Sequence, residues 1–438
     1  MEIDMKTFCE KSREIPIIAE TDVIVVGGGP AGIGAALGAA RNGAKVILLE
    51  QSNVLGGMAT AGMMSHWSGG TESPLPHEVC DRMRQNGALP IDFYEDGKWC
   101  ISHEALKSSL LEMMREAGVT IQLYTLVSDV IKENNRVCGV ITESKSGREA
   151  ILGKVVIDAS GDGDVAARAG AEYLIGRDED HGCQPVTLMF RIGGVDYTRA
   201  VFPPSFETHI DLPKGEIQTL GHQNLPAPAG HVLLYRTRLP GEVCVNMTNV
   251  TGIDGTNVRD LTRAELICRE QMNRIVAFLR EFVPGYEKCY LVSSAQNVGV
   301  RETRHFKGVY TINEFDILEA KVFDDWIATK NYFNFDIHSL KGPGLDEHGA
   351  QKYFQAKGKY TIPYRACVPE KVDGLLLAGR NISGTHKAHS NFRVMSICLN
   401  IGQGVGTAAA TAIQDRVEFR NVDIHKVQEK LIAAGVTP

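Results

Sequence analysis

The pattern of apolar and polar residues predicts an α/β arrangement at the start of the chain. Residues 22–26 and 46–49 are short apolar runs bounded by glycine or charged residues, which is typical of buried strands in a parallel sheet. The segment between them predicts a connecting helix. Residues 102–117 place Leu106 and Leu110 on one helical face, which predicts a second amphipathic helix.

The pattern changes in the middle of the chain. Residues 120–126 predict one strand, and residues 127–153 predict two or three strands separated by polar turns. From about Tyr173 proline and glycine become frequent. Alternating stretches then predict an antiparallel sheet, and a long apolar stripe predicts a helix; they lie at 186–192, 231–238, 242–248 and 262–282.

The glycine-rich segment 27–32 joins the first strand to its helix and has the spacing G-x-G-x-x-G. Gly27 permits a tight turn, Gly29 lets the backbone approach a pyrophosphate, and Gly32 lets the helix lie close to the strand. The helix begins at Pro30-Ala31, where free N–H groups attract phosphate. The segment therefore predicts a ligand that contains a diphosphate.

Glu50 ends the second strand, eighteen residues after Gly32. A carboxylate at this place accepts hydrogen bonds from an adenosine ribose and disfavours a 2′-phosphate. Together with the glycine turn, it predicts an ADP moiety. The alternative, a tight strand-to-helix turn without a ligand, leaves the carboxylate unexplained.

Further motifs lie along the rest of the chain: a segment of small residues and glycines follows Glu50, and two later predicted strands end in glycine with aspartate or arginine. The motifs are Gly-Gly-Met-Ala-Thr-Ala-Gly (56–62), Asp-Ala-Ser-Gly-Asp-Gly-Asp (158–164), Val-Arg-Glu-Thr-Arg (300–304), Ile-Pro-Tyr-Arg (362–365), Gly-Leu-Leu-Leu-Ala-Gly-Arg-Asn (374–381), Arg-Val-Met-Ser (393–396) and Gly-Gln-Gly-Val-Gly (402–406). Together they resemble the broad bacterial FAD-dependent oxidoreductase family, which has the glutathione-reductase-like FAD fold, and segment 56–62 resembles its second diphosphate-contacting segment.

The resemblance implies an FAD cofactor and a set of residues that contact it. It also implies the fold class: α/β, with a discontinuous Rossmann-like FAD-binding domain and an inserted α+β substrate or cap domain that contains an antiparallel sheet. The implied contacts are Gly27, Gly29, Pro30, Ala31, Gly32, Glu50, Gln51, Gly56, Gly57, Met58, Val127, Ser160, Gly161, Asp162, Gly379, Arg380, Arg393 and Val394.

The change of character near Tyr173 predicts the division into domains. We expect residues 1–172 to form the first part of the FAD-binding domain, residues 173–365 the cap domain and residues 366–438 the second part. The active site would then lie between the two domains, where ligand sites are common.

Composition narrows the function classes. The chain has 438 residues, of which 43% are hydrophobic, and a net charge of −7, which gives no reason to expect nucleic acid as a partner. Its ten cysteines include no C-x-x-C pair, which argues against zinc and iron–sulfur centres, so we expect no metal. We find neither a signal peptide nor an apolar stretch of about 18 residues, and we expect a cytoplasmic protein without a membrane partner.

Two histidines are candidates for acid–base chemistry. His386 and His389 lie between the last predicted FAD strand and the last helix, in a loop that passes the flavin ring in related topologies. A neutral histidine there could remove the proton from a substrate carbinol while hydride leaves for flavin N5. The alternative is that they only fix the loop by hydrogen bonds.

Other charged or aromatic groups are candidates for the walls of the site. Arg393 precedes the helix expected to face the flavin pyrimidine, where positive charge stabilises the reduced ring. His66 follows the paired glycines and could line the ring from the other side, or pack in the core. Arg301 and Arg304 could bind a substrate carboxylate, or form an ion-pair cluster between domains.

Three functions remain open, and a flavin dehydrogenase or reductase is favoured. Its substrate would be small and polar, such as a hydroxy acid, sugar or polyol. The alternatives are a non-redox or synthetic use of the dinucleotide, as in thiazole-forming or RNA-modifying enzymes, and an electron-transfer subunit. The electron acceptor and a homo-oligomeric state are left open. Because a second G-x-G-x-x-G and paired cysteines are missing from the sequence, we expect neither a nicotinamide domain nor a disulfide reductase.

Overall fold

The computed structural model describes residues 7–86, 100–349 and 354–438. Its helices are α1 (Pro30–Arg41), α2 (Pro74–Asn86), α3 (His103–Glu116), α4 (Asp164–Ala169), α5 (Ile217–Asn224), α6 (Val258–Phe282), α7 (Glu314–Leu318), α8 (His386–Phe392), α9 (Met395–Asp415) and α10 (Ile424–Ala433).

The strands that the structure describes fall into one large sheet and several smaller ones. They are β1 (Ile17–Val26), β2 (Val46–Leu49), β3 (Thr120–Gln122), β4 (Leu126–Glu133), β5 (Arg136–Ser144), β6 (Gly147–Asp158), β7 (Tyr173–Ile175), β8 (Phe190–Gly193), β9 (Asp211–Leu212), β10 (Gly215–Glu216), β11 (Leu234–Arg236), β12 (Val243–Val245), β13 (Tyr290–Ser294), β14 (Arg304–Phe306), β15 (Trp326–Asn331), β16 (Tyr360–Pro363) and β17 (Leu375–Leu377).

The large sheet has the order β3-β2-β1-β6-β5-β4, and β17 pairs with the carboxyl end of β6. Strands β3, β2, β1, β6 and β17 run parallel, with Val26 opposite Leu49 and Asp158, and Leu377 opposite Asp158. Strands β4, β5 and β6 form an antiparallel meander. The carboxyl ends of β1, β2, β6 and β17 therefore meet at one edge, which is where ligands bind in open α/β sheets.

Helices α1 and α9 cross at backbone contact distance. A Cβ at Gly402 would overlap the backbone oxygen of Ala31, and a Cβ at Gly406 would overlap that of Ala35. Gly402 and Gly406 thus let α9 lie against α1, which fixes the N-terminus of α9 beside the ligand edge of the sheet.

A second hydrophobic core lies in the middle of the chain. The antiparallel sheet β11-β12-β8-β13 packs with the apolar face of α6 around residues such as Phe190 and Leu279. This confirms the predicted fold class: a discontinuous Rossmann-like unit, resumed by β17, with an inserted unit that carries an antiparallel sheet. Residues Phe306 to Tyr364 contribute to the first core instead, so the domain boundary at residue 365 stays a prediction.

Several predicted elements differ in detail. The strand predicted at 120–126 is wrong as one element, because β3 ends at Gln122 and Tyr124 adopts φ +55° before β4 begins. The observed strands of the antiparallel sheet are shorter than predicted: β11 and β12 lie within the predicted ranges 231–238 and 242–248. Helix α6 begins earlier than predicted, since the Asn257 side chain accepts the Arg259 N–H and caps it.

The predicted loop around His386 is mostly a helix. Thr385 caps α8 by accepting the Ala388 N–H, and Ala388, His389 and Phe392 form its buried face. The sequence pattern did not predict this helix, because only two of its buried residues, Ala388 and Phe392, are apolar. Among the described residues, no helix has both the length and the apolar character that crossing a membrane would require.

Candidate functional site

The turn between β1 and α1 leaves space beside a helix N-terminus. Gly27 has φ +100°, and a Cβ there would overlap the backbone oxygen of Ala159, while a Cβ at Gly32 would overlap that of Gly27. At Gly29, by contrast, a Cβ would meet no described atom within 4 Å. This open space adjoins the start of α1, which has Pro30 in its first turn and no side-chain cap, so its N–H groups are available to a phosphate.

Glu50 is buried at the end of β2 and holds two loops together. Its Oε2 accepts the Gly28 N–H at 2.7 Å, and its Oε1 accepts the Ser52 N–H at 2.7 Å. Each carboxylate oxygen can accept more than one hydrogen bond, so a ribose contact remains available. The neighbouring Gln51 is exposed.

The paired-glycine segment lies directly against this turn. The Gly56 N–H donates to the backbone oxygen of Gly28 at 2.7 Å, and both Gly56 and Gly57 have positive φ angles. The Met58 side chain extends towards Gly299, where its Cε atom would lie 2.8 Å from an added Cβ. The segment thus connects the dinucleotide turn to the motif Val-Arg-Glu-Thr-Arg.

The remaining predicted adenosine-side contact, Val127, is buried in β4. It lies two residues after Thr125, whose N–H donates to the backbone oxygen of Glu50 at 3.0 Å. Its position near Glu50 is compatible with the predicted contact, which stays a prediction.

Ser160 has a structural hydrogen bond in the turn after β6. Its hydroxyl donates to Oδ1 of the fully buried Asp158 at 2.6 Å, and the Ala166 N–H donates to Oδ2 of the same carboxylate at 2.8 Å. Burial raises the pKa of Asp158 to about 6, although these hydrogen bonds oppose the shift. Asp158 therefore stabilises the turn in segment 158–164 through these hydrogen bonds.

Asp162 and Arg380 connect the turns after β6 and β17. Arg380 Nη2 donates to Asp162 Oδ1 at 2.9 Å, and the Thr303 hydroxyl donates to the same oxygen at 2.7 Å. A Cβ at Gly161 would lie 2.7 Å from Arg380 Nη2, and a Cβ at Gly379 would lie 2.7 Å from the Cβ of Ala31. The four predicted cofactor segments therefore converge at one edge of the sheet.

Four residues form what we call the Glu302 cluster: Glu302, His305, His386 and His389. The Glu302 Oε1 atom lies 2.6 Å from His386 Nδ1 and 2.8 Å from His305 Nε2, and Oε2 accepts the Gln184 N–H at 3.0 Å. Burial alone would raise the pKa of Glu302, but the hydrogen bonds from His305 and His386 outweigh it and hold that pKa well below its usual range. The structure therefore brings His386 and His389 together with two groups that the sequence did not single out as catalytic.

The second charged group is what we call the arginine cluster: Arg301, Asp336, His338 and Arg393. Arg393 Nη2 donates to Asp336 Oδ2 at 2.7 Å and to the Asp336 backbone oxygen at 2.9 Å, while its buried Nε has no hydrogen-bond partner. Arg301 Nη1 donates to Pro185 O and the Thr187 hydroxyl. Burial, followed by the charge of Arg393, lowers the pKa of Arg301 to about 10.

Three other predicted residues have distinct surroundings. Arg304 donates to the Asp162 backbone oxygen and, at 2.9 Å, to Asp164 Oδ1, so its guanidinium is engaged in an ion pair, while its predicted roles stay predictions. His66 is buried, with its ring centre 5.3 Å from that of Tyr235. Val394 is the N-cap position of α9 but makes no side-chain cap.

Four positions were missed by the sequence reasoning: Ser68, Gln184, Asp336 and His338. Ser68 accepts the first N–H groups of α9, from Met395 and Ser396. Gln184 joins the two clusters, since its N–H donates to Glu302 and its Oε1 accepts the His338 N–H at 3.1 Å. No local spacing could indicate the contacts of Ser68, Gln184 and Asp336, because their partners lie 327, 118 and 57 residues away along the chain.

The residues present fit FAD. The space in front of Gly29 would be filled by a Cβ, the α1 N-terminus is uncapped, and the buried Glu50 keeps acceptor capacity. A diphosphate and a ribose are the groups that these three features accommodate. When bound, FAD supplies a redox-active ring, and the described residues position it.

The family comparison agrees with this site. A family model described as "FAD dependent oxidoreductase" matches residues 22–431, which is most of the chain. The broader family is thus shown, whereas the finer resemblance to glutathione-reductase-like flavoproteins stays a prediction.

Similar proteins have several activities. A thiamine thiazole synthase from Aeropyrum pernix is 36% identical over 28% of this chain and 43% of its own length. Digeranylgeranylglycerophospholipid reductase 2 from Methanothermobacter thermautotrophicus is 28% identical over 44% of this chain and 54% of its own. The chain thus spans about half the length of these curated relatives.

One solved structure shows the fold alone. A geranylgeranyl bacteriochlorophyll reductase-like protein from Thermoplasma acidophilum superposes with a TM-score of 0.53 at 15% identity, over 94% of this chain and 83% of its own. With the family match and the fitted site, the conclusion is that the chain belongs to the FAD-dependent oxidoreductase family and is an enzyme whose cofactor is FAD.

Proposed function

We propose that the protein transfers a hydride between flavin N5 and a small polar substrate that carries an anionic group, such as a hydroxy acid. The active site would lie where the arginine cluster and the Glu302 cluster meet, and Gln184 joins the two. The observation that carries this proposal is the shortage of negative charge around the two guanidinium groups.

Arg301 and Arg393 bring two positive charges to the arginine cluster, whereas Asp336 brings one negative charge. Burial would raise the pKa of Asp336, but the charges of Arg393 and Arg301 and a hydrogen bond from His338 outweigh burial and hold that pKa well below its usual range, so Asp336 is ionised. Burial and Arg301 lower the pKa of His338 to about 4, so this histidine is neutral at pH 7. A buried excess of one positive charge is costly unless an anion balances it, which favours a hydroxy acid over a neutral sugar or polyol.

The Glu302–His386 pair supports a general-base role for His386. Glu302 is anionic, so the Nδ1 of His386 donates to it, and this hydrogen bond fixes the tautomer in which Nε2 carries the lone pair. His386 is partly exposed and could meet a substrate hydroxyl. His389 is fully buried, and burial together with His305 lowers its pKa far below the usual value, so we assign it no proton transfer.

An anaerobic screen tests the proposal. The flavin absorption of the purified protein is followed while matched hydroxy acids, sugars, polyols and isoprenoid lipids are added. We expect a hydroxy acid to bleach the flavin and its uncharged polyol counterpart to be far less effective. Equal reduction by the neutral compound, or reduction by an isoprenoid lipid alone, would contradict the anionic substrate.

A pair of arginine variants sharpens the test. Arg301→Gln should raise the substrate concentration needed for half-maximal flavin reduction by about 10- to 100-fold, because a charge-assisted hydrogen bond contributes about 1.5–3 kcal/mol. Arg304→Gln is the matched control, since Arg304 is already paired with Asp164. An unchanged concentration dependence in Arg301→Gln, with normal FAD content, would show that Arg301 does not bind the substrate.

A synthetic use of the dinucleotide is the second candidate, because a thiamine thiazole synthase is 36% identical over 28% of this chain. It predicts that the bound nucleotide changes in mass during turnover. Mass spectrometry of the nucleotide released by acid, before and after incubation with substrates, separates the two functions.

A further inference from the structure

We propose that Glu302, His305 and His389 form a site for one divalent transition-metal ion. This site shares Glu302 with the Glu302–His386 pair described above but does not depend on which substrate is bound, and it revises the expectation, drawn from ungrouped cysteines, that the chain holds no metal. The fold brings the three residues together from the segment around β14 and from α8.

The donor geometry is that of an open ligand set. Each of the three residues offers one ligand atom, and these atoms all lie within 4.8 Å of one another. The exposed fractions are 1% for Glu302, 8% for His305 and 1% for His389, so the donors are shielded from bulk water. Ligand atoms around a bound ion lie about 3.0–3.5 Å apart, given metal–ligand bonds of about 2.0–2.2 Å, so the donors must draw closer together when an ion binds.

His389 offers the cluster an imidazole nitrogen that lacks a partner. Its Nδ1 atom is buried and has no hydrogen bond in the described structure. His305 Nε2 lies 2.8 Å from Glu302 Oε1, which is close to the separation of two ligand atoms on one ion. This nitrogen and the carboxylate can therefore bind the same ion once Nε2 gives up its proton, and the remaining imidazole proton then stays on Nδ1.

The local charges are compatible with a cation. Glu302 is anionic, and its Oε2 accepts one hydrogen bond, from the Gln184 N–H, so it keeps acceptor capacity. Arg380 and Arg393 are close enough to His389 to affect its pKa, but each is paired with a carboxylate, Asp162 and Asp336 respectively. A bound dication would therefore meet the negative charge of Glu302 and the imidazoles of His305 and His389.

The donor types select the class of ion. Two imidazoles and one carboxylate suit Zn²⁺, Fe²⁺, Co²⁺ or Mn²⁺, whereas Mg²⁺ and Ca²⁺ prefer oxygen ligands alone. Three protein ligands also leave at least one coordination position for water or another small molecule.

Metal analysis of the full-length, FAD-loaded protein tests the proposal. After chelator treatment and dialysis, Zn²⁺ or Co²⁺ is added and the retained ion is measured by elemental analysis and calorimetric titration. We expect about one ion per chain, as three-ligand sites hold a single ion. A wild-type protein that retains neither ion and shows no Co²⁺ ligand-field absorption would overturn the proposal.

Histidine variants locate the site. His305→Ala and His389→Ala should each weaken metal binding by more than about 100-fold, since loss of even an outer partner costs about 10- to 100-fold. His231→Gln is the matched control, because His231 is also buried with an unpartnered Nδ1 but lies outside the cluster. Unchanged binding in both alanine variants, with FAD content and thermal unfolding confirming that they fold, would overturn the assignment. If either variant fails to fold, the Co²⁺ spectrum of the wild-type protein decides. Since the assay measures metal content, its outcome is separate from the substrate screen.

Discussion

Asp162 and Arg380 form an ion pair across 218 residues of sequence, with Arg380 Nη2 2.9 Å from Asp162 Oδ1. Asp162 follows β6 and Arg380 follows β17, so the pair holds the two returning ends of the large sheet together. Arg380 also reaches the backbone oxygen of Arg301 at 3.4 Å. The cofactor turns are thus linked to the arginine cluster through Arg380. Substitutions in the turns should lower FAD affinity, whereas substitutions in the two charged clusters should leave FAD bound and change the reaction with substrate.

Replacement of Gly29 by valine should abolish FAD binding and leave the fold intact. Gly29 has φ −71°, which valine adopts without strain, and its Cβ would enter open space that the diphosphate needs. Released flavin, measured after acid treatment, and thermal unfolding of the variant check both expectations. Gly32→Val is the control: its side chain would overlap the Gly27 backbone oxygen, so it should lower the unfolding temperature as well. A yellow Gly29→Val protein would contradict the pyrophosphate assignment.

Replacement of Glu50 should affect both cofactor affinity and stability. Glu50→Ala removes the predicted ribose contact and leaves two N–H groups, of Gly28 and Ser52, without their acceptor. We expect FAD binding to weaken by about 1–3 kcal/mol, and the free energy of unfolding of the apoprotein to fall by a similar amount. Glu50→Gln keeps one side-chain acceptor, so its FAD affinity and its free energy of unfolding should lie between those of the wild type and of Glu50→Ala. Unchanged FAD affinity in both variants would show that other groups hold the ribose.

The glycine turn and Glu50 could be predicted because their signal is local. Three glycines and a carboxylate at fixed spacing carry the information within one strand–helix–strand unit. The Glu302 cluster could not be predicted in this way. Its contacts join Glu302 to Gln184 and His386, which lie 118 and 84 residues away, and such pairings follow from how the inserted unit packs on the sheet. The same is true of Asp336, whose partner Arg393 was predicted to face the flavin.

His386→Ala should slow flavin reduction by substrate by about 10²–10⁴-fold, the usual contribution of a general base. The variant should keep its FAD, and the loss should lessen at high pH, where hydroxide replaces the base. Rapid-mixing absorbance under anaerobic conditions measures the reductive step. Glu302→Gln should also slow it, because Glu302 orients His386 through the 2.6 Å contact at Nδ1. If His386→Ala is reduced at a near-normal rate, the assignment of His386 as general base fails and His66 becomes the next candidate.

The protein should lose stability as the pH falls from about 6.5 to about 4. Burial is the main cause that lowers the pKa of His103 and His231 to about 3 and of His338 to about 4. Because an unfolded histidine has a pKa of about 6.5, the unfolded chain binds more protons in this range, so stability falls with pH by up to about 1.4 kcal/mol per unit for each histidine.

One buried carboxyl opposes this trend. The pKa of Asp158 is raised to about 6, so its contribution is present at low pH and is lost as the pH rises towards 6. One carboxyl cannot offset three histidines, and the net slope stays destabilising towards acid. Thermal unfolding between pH 7 and 4 measures it. His231→Gln removes one titrating group and should give a shallower slope, whereas the exposed His425→Gln should match the wild type. Equal slopes in all three proteins would show that the pKa of His231 is not lowered in the folded state.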